Sequence, residues 1–438
     1  MDSAPVREAV RRLEADGFAA VEAYAKRGRS RKFELGPAGK LVTTSEEAGW
    51  AVRAGDQHSS FFAAGTGSIE AVEPDHQWPQ GEGRPLRLPG PSVSRAWSPG
   101  SDLDAPMLVE HEALAMLESI RAELGREIPG AQLLRAVLEE GSSDSVISNS
   151  RGVHAKTKGR VATLYLEVAG SGRDNLTATR YLAVREARNF RCKSLVQHLA
   201  NELFVRRDAK SGSRDRGEFL LASEVGVRLL EGLLPLLIGR DAVDVATRLE
   251  DRQGRIGSSL VTVVDDGGLA GGVLEAAVDG EGTPTKRMTL IEAGRYHQPL
   301  TPWWEASEKR LPSGCVGRAS WRDLPKAGPT HLFLLPDPSV SVSSLVGAVS
   351  RGYYLLGCEG PGSFDLSEDR FSLPVWGFVL RQGKSVEPLS GSRLEGRIGA
   401  LLRGIQAVGR DLMFAPLYGM IGCPSMLVTG VELRSVGS

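Results

Sequence analysis

The side chains best placed to do chemistry in this sequence are carboxylates set among glycines. Between Val261 and Gly294 the chain reads VTVVDDGGLAGGVLEAAVDGEGTPTKRMTLIEAG, with Asp265 and Asp266 before one glycine pair and Asp279 and Glu281 around another glycine. Such oxygens suit a cation, but their spacing is not that of a calcium loop, which needs ligands at alternate positions. Each aspartate taken alone reads as an Asx turn that satisfies its own backbone. His111-Glu112 opens half of a zinc-protease helix, yet the positions one turn on are Ala115 and Met116, so the second imidazole that would share the metal is missing. His198 and Glu202 are spaced to share a helix face, a structural hydrogen-bonded pair since no third ligand accompanies them. The other histidines, His58, His76, His154, His297 and His331, sit in unrelated contexts. No G-x-S-x-G, G-x-G-x-x-G or G-x-x-x-x-G-K motif is present, which removes hydrolase-elbow, dinucleotide and P-loop readings.

These residues need elements to hold them. Pro5 to Ala15 is amphipathic, with Val6, Val10 and Leu13 on one face, and alternating segments follow at Ala20–Ala25, Arg31–Leu35, Gly49–Ala54 and Ser59–Ala64. A helix laid on an antiparallel sheet is expected there. Residues 73–106 are dense in Pro and Gly and read as a linker or long surface loop. A second helix is expected over Met107–Leu124, then a meander of strands at Gln132–Leu138, Ser145–Ser148, Arg160–Val168 and Leu176–Arg185, with a turn at Ser148–Gly152. Lys193–Arg206 reads as helix, Glu218–Leu221 as strand, Ser223–Leu237 as helix, and a last helix is expected over Leu394–Val408. In the acidic segment Val261–Val264 and Met288–Ile291 read as strands. The fold class is α+β: an N-terminal helix-on-sheet domain (1–72), the linker (73–106), a middle domain (107–216) and a mostly β C-terminal domain with a few helices (217–438).

With 438 residues the chain exceeds one ordinary core. Its 53 Lys and Arg against 54 Asp and Glu leave a formal charge of -1, which argues against a nucleic-acid surface or an anionic-membrane anchor. Arg206, Arg207, Lys210, Arg214 and Arg216 form a local basic cluster, read as a solvated loop, with phosphate or peptide-carboxylate contact as the alternative. The four cysteines, Cys192, Cys315, Cys358 and Cys423, are widely spaced and form no CxxC pair, so neither disulfides nor a zinc ribbon are signalled. With no apolar leader and no run of transmembrane length, a cytoplasmic location is the expectation.

VVDDGGLAGG followed by VDGEGTPTKRMTLIEAG resembles the characteristic segment of the TldD/PmbA family. SSLVGAVSRGYYLLGCEGPG (Ser343–Gly362), LEGRIGALLRGIQAVGRDL (Leu394–Leu412) and CPSMLVTGVELRS (Cys423–Ser435) resemble its C-terminal blocks in order and spacing. The resemblance extends to AGWAVRAG near position 50. It implies one half of a TldD/TldE pair, a heterodimeric zinc metallopeptidase that acts on extended peptides. In the catalytic kind of subunit a helix carries HExxxH, with a cysteine near the C-terminus completing the site. Here the matching stretch is LASEVGVRLLEG (Leu221–Gly232), with Glu224 kept and Ser223 and Arg228 at the two histidine positions. Neither can replace an imidazole on zinc, and a permanent guanidinium charge repels a cation. No metal site is carried over to any residue.

The resemblance therefore implies a TldE/PmbA-like, non-catalytic subunit without a cofactor of its own, zinc belonging to a TldD-like partner, and leader- or precursor-peptide processing as the task. Glu224, Arg228, Gly360 and Gly362 are its implied substrate contacts. Arg228 pairing with Glu224 or Glu231 on its own helix is the structural alternative. FDLSEDRFSLPVWGF (Phe364–Phe378) departs from the family's threonine-glycine-aspartate-phenylalanine-serine stretch, as a divergent member specialised for one peptide would. Two other classes stay open: a peptide-binding adaptor, antitoxin or gyrase-pathway modulator without catalysis, and a self-sufficient metallopeptidase with unrecognised ligands.

Overall fold

The computed structural model describes residues 1–56, 60–72, 85–92, 106–170, 176–212 and 214–435. Most of the expected linker, residues 73–84 and 93–105, lies outside the described residues, as does Ser59 of one expected strand.

The N-terminal half is built on one antiparallel sheet of six strands, ordered β3-β2-β1-β4-β5-β6. These are β1 (Ala20–Gly36), β2 (Gly39–Gly55), β3 (Ser60–Gly65), β4 (Gln132–Asn149), β5 (His154–Ala169) and β6 (Thr177–Val184). Strands expected in the 1–72 and 107–216 segments thus share one hydrogen-bonded ladder through β1 and β4. They are also far longer than the expected segments: Ala20–Ala25 and Arg31–Leu35 are two ends of the single strand β1. The reason lies in what covers them. Helix α1 (Ala4–Ala15) buries Val6, Ala9, Val10 and Leu13 against Val21, Ala23, Val52 and Ala54. Helices α2 (Glu110–Glu127) and α3 (Cys192–Arg207) pack on Phe33, Leu35, Leu138, Leu164 and Leu166. The stretch of β1 between those two footprints, KRGRSR, has no apolar cover, so its alternation is lost although its backbone pairs without a break.

The C-terminal half carries the larger apolar core, two further large sheets and a two-stranded ladder of Val316–Gly317 with Lys326–Ala327. In one, β7 (Glu218–Leu221) runs parallel to Arg351–Cys358 and antiparallel to Met426–Val428, and the sheet continues through Arg370–Arg381 and Lys384–Gly396 to Glu432–Ser435. Asp215, just ahead of β7, exchanges backbone hydrogen bonds of 3.1 and 2.9 Å with Leu433, so this sheet curls back on itself. In the other, Val263–Asp266 pairs with Arg287–Glu292 as expected, and with His331–Leu334, which runs parallel to Gly419–Cys423.

Two expected helices are corrected. Over Leu394–Val408 only Ile398–Arg403 is helical; residues up to Gly396 finish one strand and Ile405–Val408 form another. At Gly404 a Cβ would lie 2.0 Å from the Thr429 carbonyl oxygen, a backbone approach that takes the chain out of the helix and into pairing with Met426–Val428. The expected Ser223–Leu237 helix divides into α4 (Ser223–Gly232) and a turn at Leu234–Leu237 that starts around Pro235. Among the described residues no helix is long and apolar enough to cross a membrane.

Candidate functional site

Helix α4 springs directly from β7 and packs against the strands Arg351–Cys358 and Gly419–Cys423. Its inward face is Val225, Gly226, Leu229 and Leu230. A Cβ at Gly226 would sit 2.5 Å from the Cys423 sulfur, so only glycine lets the thiol lie against the helix. Burial, then the charge of Asp411, pushes the Cys423 thiol up and keeps it protonated.

Both ends of the motif are engaged within the chain. Ser223 is buried, its hydroxyl 3.0 Å from the Asp411 carbonyl oxygen and 3.1 Å from Asp411 Oδ2. Asp411 is itself held by the Ser425 hydroxyl at 2.6 Å and the Ser425 N–H at 3.1 Å. Arg228 Nη1 donates to Glu231 Oε2 at 2.9 Å, one turn along α4. Of the two pairings the sequence left open for Arg228, Glu231 is the one formed by hydrogen bond.

Between them Glu224 lies over the strand Arg351–Cys358. A Cβ at Gly357 would come within 2.8 Å of Glu224 Oε1 and 2.6 Å of Trp376 Nε1. The carboxylate retains 40% side-chain exposure and faces Arg180 Nη2 at 3.4 Å. Burial raises its pKa, Glu202 adds to the rise, and Arg180, Arg228 and the Cys358 N–H oppose it. Burial, then Glu224, also pushes the Cys358 thiol up. Arg180 comes from β6 and was not among the expected site residues; an arginine 44 positions upstream on a strand carries no local signal. It also pairs with Glu202 at 2.6 Å, and Glu202 with Arg206 at 2.8 Å. The expected His198–Glu202 pair is therefore replaced by a two-arginine clamp on Glu202. In the basic cluster Arg206 is mostly buried and reaches Glu359 at 3.3 Å, whereas Arg207, Arg214 and Arg216 stay largely exposed to solvent while pairing with Asp208 and Glu432.

The glycine block runs along α4, from Gly357 beneath Glu224 to Phe364, whose ring lies 2.4 Å from where a Gly232 Cβ would be. Gly360, at φ +151°, has nothing within 4 Å of an added Cβ, whereas a Cβ at Gly362 would strike the Leu373 side chain at 2.2 Å. Gly360 leaves open space; Gly362 serves packing. Beyond Phe364 opens a groove of about 1180 Å³, lined by Phe364, Phe371, Arg216, Glu432 and Arg434 among others.

Residues 215–435 match the PmbA/TldA metallopeptidase C-terminal domain. The chain belongs to the TldD/PmbA family. Over 170 residues it is 26% identical to the metalloprotease TldD homolog of Buchnera aphidicola, and over 165 residues 27% identical to a metalloprotease of Methanocaldococcus jannaschii. Those matches cover 38% and 37% of this chain and 35% and 36% of the relatives, about a third of their length. The fold is similar over 99% of the chain to TldE from Thermococcus kodakarensis, all of which is covered, with a TM-score of 0.84 and 18% identity. A Thermotoga maritima protein described as a candidate modulator of a DNA gyrase has a TM-score of 0.81 and 15% identity, with 98% of this chain and 99% of that one covered.

A metallopeptidase family implies a zinc ion, and the residues of α4 do not fit one. The Ser223 hydroxyl is engaged by Asp411, Arg228 adds a fixed positive charge, and the Cys423 thiol is turned into the core. Among the described residues no three His, Cys, Asp or Glu side chains are grouped to hold a metal.

Proposed function

We propose that this chain is the TldE-like, non-catalytic subunit of a heterodimeric zinc metallopeptidase that processes extended peptides, its TldD-like partner supplying the zinc. The reading is supported above all by α4, where Ser223 and Arg228 stand at the two ligand positions, the Ser223 hydroxyl held by Asp411 and Arg228 Nη1 by Glu231, with the rest of the guanidinium partly exposed. The retained Glu224, held with a raised pKa between Arg180 and Gly357, offers a carboxyl that hydrogen-bonds a peptide rather than a metal. Gly360 leaves room for a second backbone to approach.

The test is to purify the protein alone and together with a TldD-like protein, and to determine zinc and mass for each. A zinc-free lone chain and a one-to-one complex carrying a single zinc are expected. Stoichiometric zinc on the lone chain would overturn the reading.

Arg228→Ala in that complex separates substrate contact from helix pairing. Arg228 bonds Glu231 on a partly exposed face, so stability should change by less than about 0.5 kcal/mol. Loss of a charge-assisted contact should raise the KM for peptide by about tenfold. Unchanged KM and kcat would leave Arg228 as a residue of its own helix only.

A further inference from the structure

The outer half of β2 is an uncovered sheet edge. β3 pairs only with Trp50–Gly55, so residues 39–49 have β1 on one side and no strand on the other among the described residues. Residues 39–48 are all exposed, including Leu41 at 57% and Val42 at 36%. The pairing with β1 runs without a bulge from Gly55 to Gly39, and the free stretch contains no proline. A long edge of this kind is a template for another strand, and its charges at Lys40, Glu46 and Glu47 restrict which strand can pair with it.

The direction of its hydrogen bonds follows from the neighbouring strands. The Ser150 N–H donates to the Val21 carbonyl, so odd residues of β1 turn toward β4 and even residues toward β2. Because Gly36 stands opposite Gly39, odd residues of β2 face β1. Lys40, Val42, Thr44, Glu46 and Ala48 therefore aim their N–H and C=O groups outward.

We propose that this edge pairs antiparallel with the same edge of a second copy of the chain, about a two-fold axis at Thr43. Bonding parity requires even residues opposite even residues. Of the registers that allows, the one centred on Thr43 places Lys40 of each copy opposite Glu46 of the other, with Val42 opposite Thr44 and Leu41 opposite Ser45. It forms about eight backbone hydrogen bonds and two cross-strand ion pairs. The adjacent registers oppose Lys40 to Thr44 or to Ala48 and lose both ion pairs. Within its own chain Lys40 meets Glu118 at 3.0 Å and Glu46 meets Arg29 at 3.2 Å, all four side chains at least partly exposed, so a partner charge adds to those pairs without displacing a buried one. The inference is drawn on this chain alone and does not depend on a TldD-like partner.

Sedimentation velocity on the full chain across a dilution series should show a monomer–dimer equilibrium. Lys40→Glu should weaken the dimer on the order of tenfold, and the double variant Lys40→Glu, Glu46→Lys should restore it. Thr43→Cys should give a disulfide-linked dimer on mild oxidation, because a non-hydrogen-bonded antiparallel pair brings Cα atoms within bridging distance. Ser45→Cys, on the same face but away from the axis, should not. A chain that stays monomeric, or dimerises equally with Lys40→Glu and with the double variant, overturns the proposal.

Discussion

Replacing Arg318 with alanine should destabilise the chain by about 3–5 kcal/mol, the range for removing one partner of a buried ion pair. Arg318 is 2% exposed and meets Glu22, which is 1% exposed; it also donates to the Gly280 carbonyl at 2.8 Å and lies over the Tyr24 ring at 4.5 Å. Arg53 completes the group, bonding Glu22 through Nε at 2.9 Å and through Nη2 at 2.6 Å, and Glu281 at 3.2 Å. Two acids and two bases thus neutralise one another out of water, and they join β1 and β2 to the acidic glycine loop. Burial alone would raise the Glu22 pKa, but Arg318 and then Arg53 outweigh it and hold the carboxyl below its ordinary value. A depressed carboxyl contributes stability that is present above its unfolded pKa and lost as pH falls through the folded one. Arg318→Ala should therefore also move acid unfolding to higher pH. Urea unfolding at neutral pH and an acid titration of tryptophan emission measure both effects. A loss below about 1 kcal/mol would place the network with screened surface pairs.

The second large effect is of opposite sign in pH. Asp265 is fully buried; Oδ1 accepts from the Thr330 N–H at 2.8 Å and Oδ2 has no hydrogen-bond partner. Burial, against the Thr330 N–H and with the charge of Asp266, pushes its pKa up from 3.8 to about 7. A raised carboxyl contributes stability that is complete below the unfolded pKa and is lost as pH rises to and through the folded value. The chain should lose about 4 kcal/mol between pH 4 and pH 8 from this residue. Asp279, raised by burial and then by Glu281, acts in the same direction. Asp265→Asn, neutral throughout, should flatten the profile and exceed the parent in stability at pH 8. Melting temperatures of both proteins at pH 5 and pH 8 decide it; parallel slopes would show that Asp265 is ionised at little cost. Together the Glu22 and Asp265 windows place the stability maximum on the acid side of neutrality.

Much of the fold was legible where one face of one element carried its own signal. Helix α1, the turn between β4 and β5 and the paired strands around the acidic loop all follow from local periodicity and turn chemistry. What failed had a tertiary cause. The polar centre of β1 is strand because its neighbours on both sides pair with it, and the helix expected through Gly404 yields to a backbone contact with Thr429. In the site, Glu224 and Arg228 could be chosen from the resemblance of Leu221–Gly232 to the family's motif. Arg180 and Asp411 could not, because they reach α4 from segments far away in the chain.

The sequence by itself determined the family and the side-chain types on α4: a hydroxyl and a guanidinium where imidazoles would bind zinc, with a carboxylate between them. These are properties of residue type and spacing, and they hold however the chain folds. Tertiary structure decided which groups satisfy Ser223 and Arg228, how far Glu224 and Asp265 depart from their ordinary pKa values, and which edge of β2 is left open. Those depend on distance and dielectric between residues remote in sequence, so folding alone could set them.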